Sequence, residues 1–252
     1  MSKLPIGIQL FSVRDFMEKD FASTLKELKK MGYQAVELAG LFNYTVKEVK
    51  NMCEEAGLIP ISAHVDRGVI MADVKKVVGD YSEIGCKYIA IPWAPLDKNP
   101  PGSKGYDDFV KDVKIIAAEC DKYGIKLLYH NHGFEFAKID GKNILDILYE
   151  DTDPKVLQTQ IDTCWAKVGG EDPAKYILKY TGRAPLIHIK DFVEDPFELR
   201  PIGYGIQDVL SIFYASENAG AEMVIVEQDH TSLDNDSLEC AKLSIEYIRN
   251  IY

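Results

Sequence analysis

The sequence predicts an α/β protein built as one (β/α)8 barrel, and three observations predict it. Eight short apolar runs alternate with eight longer stretches in which apolar residues recur at spacings of three and four. The helical stretches repeatedly close on glycine, at Gly32, Gly57, Gly85, Gly124 and Gly220, before the next run begins. No Gly/Ser-rich linker or composition shift divides the 252 residues, a length that one such barrel fills. A single domain over 1–252 is therefore expected. An open doubly wound sheet fits less well, because no glycine-rich phosphate turn follows the first run.

The units follow one another along the chain. IGIQLFS (6–12) is the first strand, and FASTLKELKKMG (21–32) is its helix, ended by glycine. AVELA (35–39) leads to TVKEVKNMCEEAG (45–57), and IPISAHV (59–65) to MADVKKVVGDYSEIG (71–85). YIAIPW (88–93) precedes YDDFVKDVKIIAAECDKYG (106–124), whose K-x-G ending marks the return into IKLLYHN (125–131). KNILDILYE (142–150), LQTQID (157–162) and DPAKYILKYTG (172–182) continue the alternation. PLIHIKD (185–191), QDVLSIFYASENAG (207–220), MVIVEQD (223–229) and SLECAKLSIEYIRN (237–250) complete eight units. The segment PIGYGIQD (201–208) reads as a tight turn in preference to a phosphate cradle.

Composition narrows the function. A net charge of −11 and a pI near 5.0 argue against a nucleic-acid surface, which depends on clustered Lys and Arg. Five cysteines without a CxxC pair read as reduced thiols. The N-terminal MSKLPIGIQLFS passes straight into a strand-like run, and no apolar run approaches the roughly 18 residues of a membrane span. A cytoplasmic protein without a membrane segment is expected.

The chemistry-bearing residues gather at strand ends. His64, His130, His132, His188 and His230 all close or follow apolar runs, and Asp162, Glu227 and Glu135 occupy matching positions. Residues two apart on a strand share a face, so His130 pairs with His132, Gln160 with Asp162, His188 with Lys190, and Glu227 with Asp229. At the C-terminal mouth of a barrel, where barrel active sites lie, these faces converge. Asp162, His188 and Glu227 come from neighbouring strands, a mixed set that suits Mn²⁺, Mg²⁺, Co²⁺ or Zn²⁺. Each residue also has a plainer reading. A strand-end histidine is often just a satisfied polar group, and Asp162 could cap the helix after it. A carboxylate after VIV is harder to explain without a partner. Glu37 could contact substrate or be salt-bridged inside the barrel. His64 is a candidate rim contact, and Trp93 and Trp165 could wall a sugar ring or close the core.

The runs YHNHGFEF (129–136), QIDTCWA (160–166), IHIKD (187–191) and VIVEQD (224–229) resemble the sugar phosphate isomerase/epimerase family, whose members share a xylose-isomerase-like barrel. That family includes tagatose epimerase, hydroxypyruvate isomerase and inosose dehydratase. The resemblance implies a divalent metal held by Glu, Asp, His and Glu from successive strands, with proton transfer through an enediolate. By position Asp162, His188 and Glu227 match the last three ligands. The first falls where this chain has Tyr129 and His130, and the nearest carboxylate, Glu135, is taken as that ligand. The His-x-His at this strand is shared with inosose-dehydratase-like members and leans the substrate toward keto-sugars or inososes.

The resulting expectation is a metal-dependent sugar or sugar phosphate isomerase/epimerase. Glu227, His130 and His132 are its catalytic groups, and Lys190, His64, Glu37 and Trp165 its substrate contacts. A keto-sugar or inosose dehydratase on the same site is the alternative, and a non-catalytic carbohydrate-binding barrel the reading of another class. An endonuclease-like enzyme shares the barrel, but five histidines and the acidic balance count against it. The expected partner is a small carbohydrate, with a homodimer left open.

Overall fold

Eight parallel strands close into a barrel in which each pairs with its sequence neighbours and the first meets the last. They are β1 (Ile6–Gln9), β2 (Ala35–Leu38), β3 (Ile59–His64), β4 (Tyr88–Ile91), β5 (Lys126–His130), β6 (Gln158–Asp162), β7 (Leu186–Ile189) and β8 (Met223–Val226). The computed structural model describes residues 3–252. All eight sequence-predicted strands are present, each ending at or before the end of its apolar run.

The eight predicted helices are also present: α1 (Phe21–Met31), α2 (Val46–Ala56), α3 (Val74–Ile84), α4 (Lys104–Lys122), α5 (Ile144–Glu150), α6 (Pro173–Lys179), α7 (Val209–Ala219) and α8 (Ser237–Ile251). Side-chain oxygens of Asp20, Thr45, Asp73, Ser103, Asp172, Asp208 and Asp236 accept from the first-turn amides of seven of them, satisfying donors that a helix start leaves free. Gly32, Gly57, Gly85 and Gly220 sit left-handed at the C-terminal caps, as the sequence predicts. Among the described residues, no helix is long and apolar enough to cross a membrane.

What the periodicity does not reveal are the pieces after the strands. Short helices occupy Leu10–Val13, Arg14–Met17, Arg67–Ala72 and Thr163–Val168, and a hairpin pairs Asp191–Glu194 with Phe197–Arg200. Each is four to six residues long, too short for an apolar repeat to show.

Two layers fill the barrel. Ala35, Leu128, Leu186 and Ile225 belong to an apolar cluster drawn from several strands. Two residues further along the same strand faces stand Glu37, His130, His188 and Glu227, so strand alternation stacks a polar layer directly above the apolar one. The larger core lies outside, where Ile8, Val36, Ile89, Ile161, Ile187 and Val224 meet the helices.

Candidate active site

Strand register builds the polar layer. Gln9, Glu37 and Ser62 lie side by side across β1, β2 and β3. On the other side of the barrel His130 pairs with Gln160, and Asp162 with His188. Glu37 is the hub. Its carboxylate accepts from Gln9 Nε2 at 2.8 Å, Gln160 Nε2 at 2.6 Å, His188 Nε2 at 2.7 Å and the Ser62 hydroxyl, with His64 Nε2 at 2.9 Å. Burial alone would raise its pKa, but His64 and His188 outweigh burial and hold it well below the carboxylate range.

Above the hub, His130, Asp162, His188 and Glu227 bring ligand atoms within 4.8 Å of one another. Asp162 divides its two oxygens. Oδ1 caps the helix at 163–168 through the Trp165 amide, as a helix cap would, while Oδ2 is buried without a hydrogen bond. His188 hands Nε2 to Glu37 and turns Nδ1 toward Glu227 Oε2 at 2.8 Å. His130 faces Gln160 Oε1 through Nδ1 at 3.2 Å and points Nε2 at Asp162 Oδ2, 3.8 Å away. Each histidine therefore has one nitrogen oriented by a neighbour and the other aimed at the group, the arrangement of metal-ligating imidazoles. Two imidazoles and two carboxylates, with Asp162 Oδ2 free of hydrogen bonds and facing the Lys190 ammonium at 3.2 Å, fit a divalent ion such as Mn²⁺, Co²⁺ or Zn²⁺.

Electrostatics separates the members. Burial disfavours charge on His188, yet Glu37 and Glu227 at its two nitrogens raise its pKa to about 10. Burial, then His188 and the other histidines, push His130 well below the imidazole range, so it is neutral. His132 is lowered to about 4 by burial and by Lys190. Burial raises Asp162. It would also raise Glu227, but Lys190 and His188 beside it hold that carboxylate well below its usual range.

A cavity of about 470 Å³ opens over this group. His64, His130, His132, Lys190, Glu227 and Asp229 give it polar walls, and Phe11, Pro92 and Trp93 apolar ones. A larger depression of about 650 Å³ runs along the outer surface of α4 between Tyr106, Lys111 and Asp151, and holds none of these side chains.

The structure brings most of the sequence-predicted residues together: Asp162, His188, Glu227, His130, His132, His64 and Lys190. Three are elsewhere. Glu135 is not in the group of His130, Asp162, His188 and Glu227: Tyr129 Oη donates to its Oε1 at 2.7 Å and the His132 amide to its Oε2 at 2.8 Å, and His130 stands in the group where Glu135 was expected. Glu37 is fully buried beneath the site with both oxygens bonded, so it orients His188 and is out of a substrate's reach. Trp165 stands behind the cavity wall, stacked on Phe197 at 5.8 Å with the Lys190 ammonium 5.7 Å over its ring. His230 lies outside the group, its carbonyl accepting from Gln228.

The PIGYGIQD segment is the predicted tight turn. Its amides at Gly203, Gly205 and Gln207 donate to the buried Asp191 carboxylate at 2.9–3.1 Å, leaving none of the three for a phosphate. A side chain at Gly205 would meet Asp191 Oδ1 at 2.2 Å, so this close approach requires glycine. Gln9 and Ser62 are functional neighbours that the sequence reading passed over. Gln9 lies inside the run IGIQLFS, followed by Leu10 and Phe11, so the run-end signal that marks the other residues does not single it out.

A family model described as xylose isomerase-like TIM barrel matches residues 25–251. An inosose dehydratase from Geobacillus kaustophilus is 26% identical over 200 residues, 69% of this chain and 63% of that protein. The match thus spans less than two thirds of that relative's length. Among solved structures, a sugar phosphate isomerase/epimerase from Parabacteroides distasonis superposes with a TM-score of 0.85 at 21% identity, covering 100% of this chain and 95% of the other. A D-allulose 3-epimerase from Methylomonas sp. gives 0.76 at 16% identity, covering 99% and 98%.

Proposed function

The chain belongs to the xylose isomerase-like TIM-barrel family, and from that premise we propose that it moves a proton at the carbon beside the carbonyl of a small keto-polyol, as a sugar isomerase or epimerase. The observation that carries the reading is the His130, Asp162, His188 and Glu227 group, two of whose members, His130 and Glu227, line a cavity of about 470 Å³. That volume lies within the roughly 300–1,000 Å³ usual for small-molecule sites. Those four residues would hold a divalent metal, whose Lewis acidity stabilises the negative charge that develops when the carbon loses its proton.

The chain's own groups do the rest. Glu227, kept ionised by Lys190 and His188, is the base. His132 rises from the end of β5, three strands round the rim from β8, and is neutral, so it can take or return a proton from another side of the substrate. Lys190 and His64 face the cavity, where Lys190 donates to a substrate oxygen and the His64 nitrogen not turned to Glu37 accepts from a substrate hydroxyl. Phe11 and Trp93 supply apolar surface for the carbon face of a sugar ring and keep water from the reacting carbon.

A second reading, dehydration of a keto-inositol or keto-sugar, is favoured by the inosose dehydratase relatives. It begins with the same proton removal and diverges only when a hydroxyl one carbon further leaves. Incubating keto-hexoses and inososes with Mn²⁺-loaded protein in D₂O separates the readings. Deuterium in an isomerised or epimerised product supports the first, and loss of water the second. Binding without exchange at any carbon would reduce the barrel to a carbohydrate-binding module. Glu227→Gln should lower turnover by at least about 10²-fold, the usual contribution of a general base; an unimpaired variant would remove Glu227 from that role.

A further inference from the structure

Lys190 follows the end of β7 and is 1% exposed, a rare place for an ammonium. Its Nζ lies 3.0 Å from Glu227 Oε2, 3.2 Å from Asp162 Oδ2 and 3.0 Å from Asp229 Oδ2. The first two residues belong to the four-member metal group, and Asp162 Oδ2 is the oxygen there that has no hydrogen bond. Asp229 is outside that group, on the cavity wall and 24% exposed at its side chain, and it is the carboxylate to which Lys190 donates a hydrogen bond at 3.0 Å.

We propose that Lys190 is the chain's own competitor for the metal: its ammonium sits on two of the carboxylates that would hold the ion, and Asp229 is the seat that takes the ammonium when the ion binds. The inference rests on the metal reading of the site. Two cations sharing the oxygens of Asp162 and Glu227 repel each other across a buried, poorly screened space. Lys has a flexible four-carbon stem and three rotatable donors, so it can surrender two acceptors and keep the third. The cavity wall at Asp229 is where the displaced ammonium would meet a substrate oxygen, so one side chain both limits metal affinity and contacts substrate. The arrangement also spares the metal-free barrel an unneutralised set of buried carboxylates, which would be costly.

Mn²⁺ binding, measured by calorimetry on the whole chain without sugar, tests this. Lys190→Met keeps the stem and removes the charge, and should bind Mn²⁺ at least about tenfold more tightly than wild type. Asp229→Asn removes the alternative seat and should bind it more weakly. In a Lys190→Met background the Asp229→Asn change should lose most of its effect, because its partner is gone. A lysine with a merely structural role predicts the opposite for Lys190→Met, weaker binding through a damaged site. Unchanged or weaker Mn²⁺ binding by Lys190→Met, with wild-type binding abolished by Asp162→Asn, overturns the competition and leaves the metal group standing. Mn²⁺ binding by neither wild type nor Lys190→Met overturns both. Circular dichroism on each variant confirms that the barrel is folded.

Discussion

Glu37 and Glu135 are both carboxylates with no exposed surface, both sit close to the site in sequence terms, and they end in opposite electrostatic conditions. Glu37 faces two imidazoles and three neutral donors from four different strands, which hold it ionised. Glu135 lies in the short turn at Phe134–Phe136, where its partners are the Tyr129 hydroxyl and the His132 amide. Burial outweighs those two hydrogen bonds and raises its pKa to about 7. The difference teaches that depth alone does not make a site. A buried carboxylate becomes part of the chemistry when cationic or metal-directed groups converge on it from several strands, and remains a local turn element when its donors are its own neighbours.

The sharpest way to break this contrast is to change Glu37. Glu37→Ala leaves His188 and His64 without their shared anion, and should cost about 3–5 kcal/mol in urea unfolding, the usual penalty for stripping one partner from a buried pair. Glu37→Gln keeps the shape but loses the charge that fixes His188, and should weaken Mn²⁺ binding by about 10–100-fold. Glu135→Gln should leave Mn²⁺ affinity unchanged. Equal losses from the two glutamine variants would mean that Glu37 and Glu135 do not differ in their hold on the ion.

How far the sequence shows this contrast depends on distance along the chain. The barrel is legible because its signals are local: the short apolar run before Glu227, three-and-four spacing in α4, glycine after α1 and α2. Asp162, His188 and Glu227 are legible for the same reason, since each stands at or near the end of an apolar run on the inward face. Glu135 illustrates the limit. Sequence proximity to His132 and the need for a fourth acidic ligand point to it, but the residue two steps above Leu128 on the inward face is His130, and strand geometry decides. Glu37 was equally ambiguous, because its partners Ser62, Gln160 and His188 lie 25, 123 and 151 residues away. Only closure of the barrel brings them within reach.

Glu135 supplies the next test, of intermediate size. Its folded pKa, about 7, lies above the 4.5 of a free glutamate, so the folded state favours the protonated form. The stability it contributes is fully present below about pH 4.5 and is lost as pH rises through about 7, on the order of 3 kcal/mol in all. Glu135→Gln cannot ionise. Wild type should therefore fall behind this variant by roughly that amount between pH 4.5 and pH 8, read by urea titration at each pH. A constant difference across the range would mean that Tyr129 and the His132 amide hold Glu135 ionised after all, and would place it beside Glu37.

The smallest effect asks which of Glu37's partners matter. Ser62 is a neutral donor in a set that also contains Gln9, Gln160 and two histidines, so Ser62→Ala removes one hydrogen bond while the carboxylate keeps four other contacts. A single hydrogen bond of this kind contributes about 1 kcal/mol net, and the methyl group left behind fits the space of the hydroxyl. Urea unfolding should register that loss, and Mn²⁺ affinity should not move, because the charge that orients His188 is untouched. If Ser62→Ala instead weakened Mn²⁺ binding as much as Glu37→Gln, the hub would be working through the fixed angle of its carboxylate. The line between Glu37 and Glu135 would then be one of geometry, with charge as its consequence.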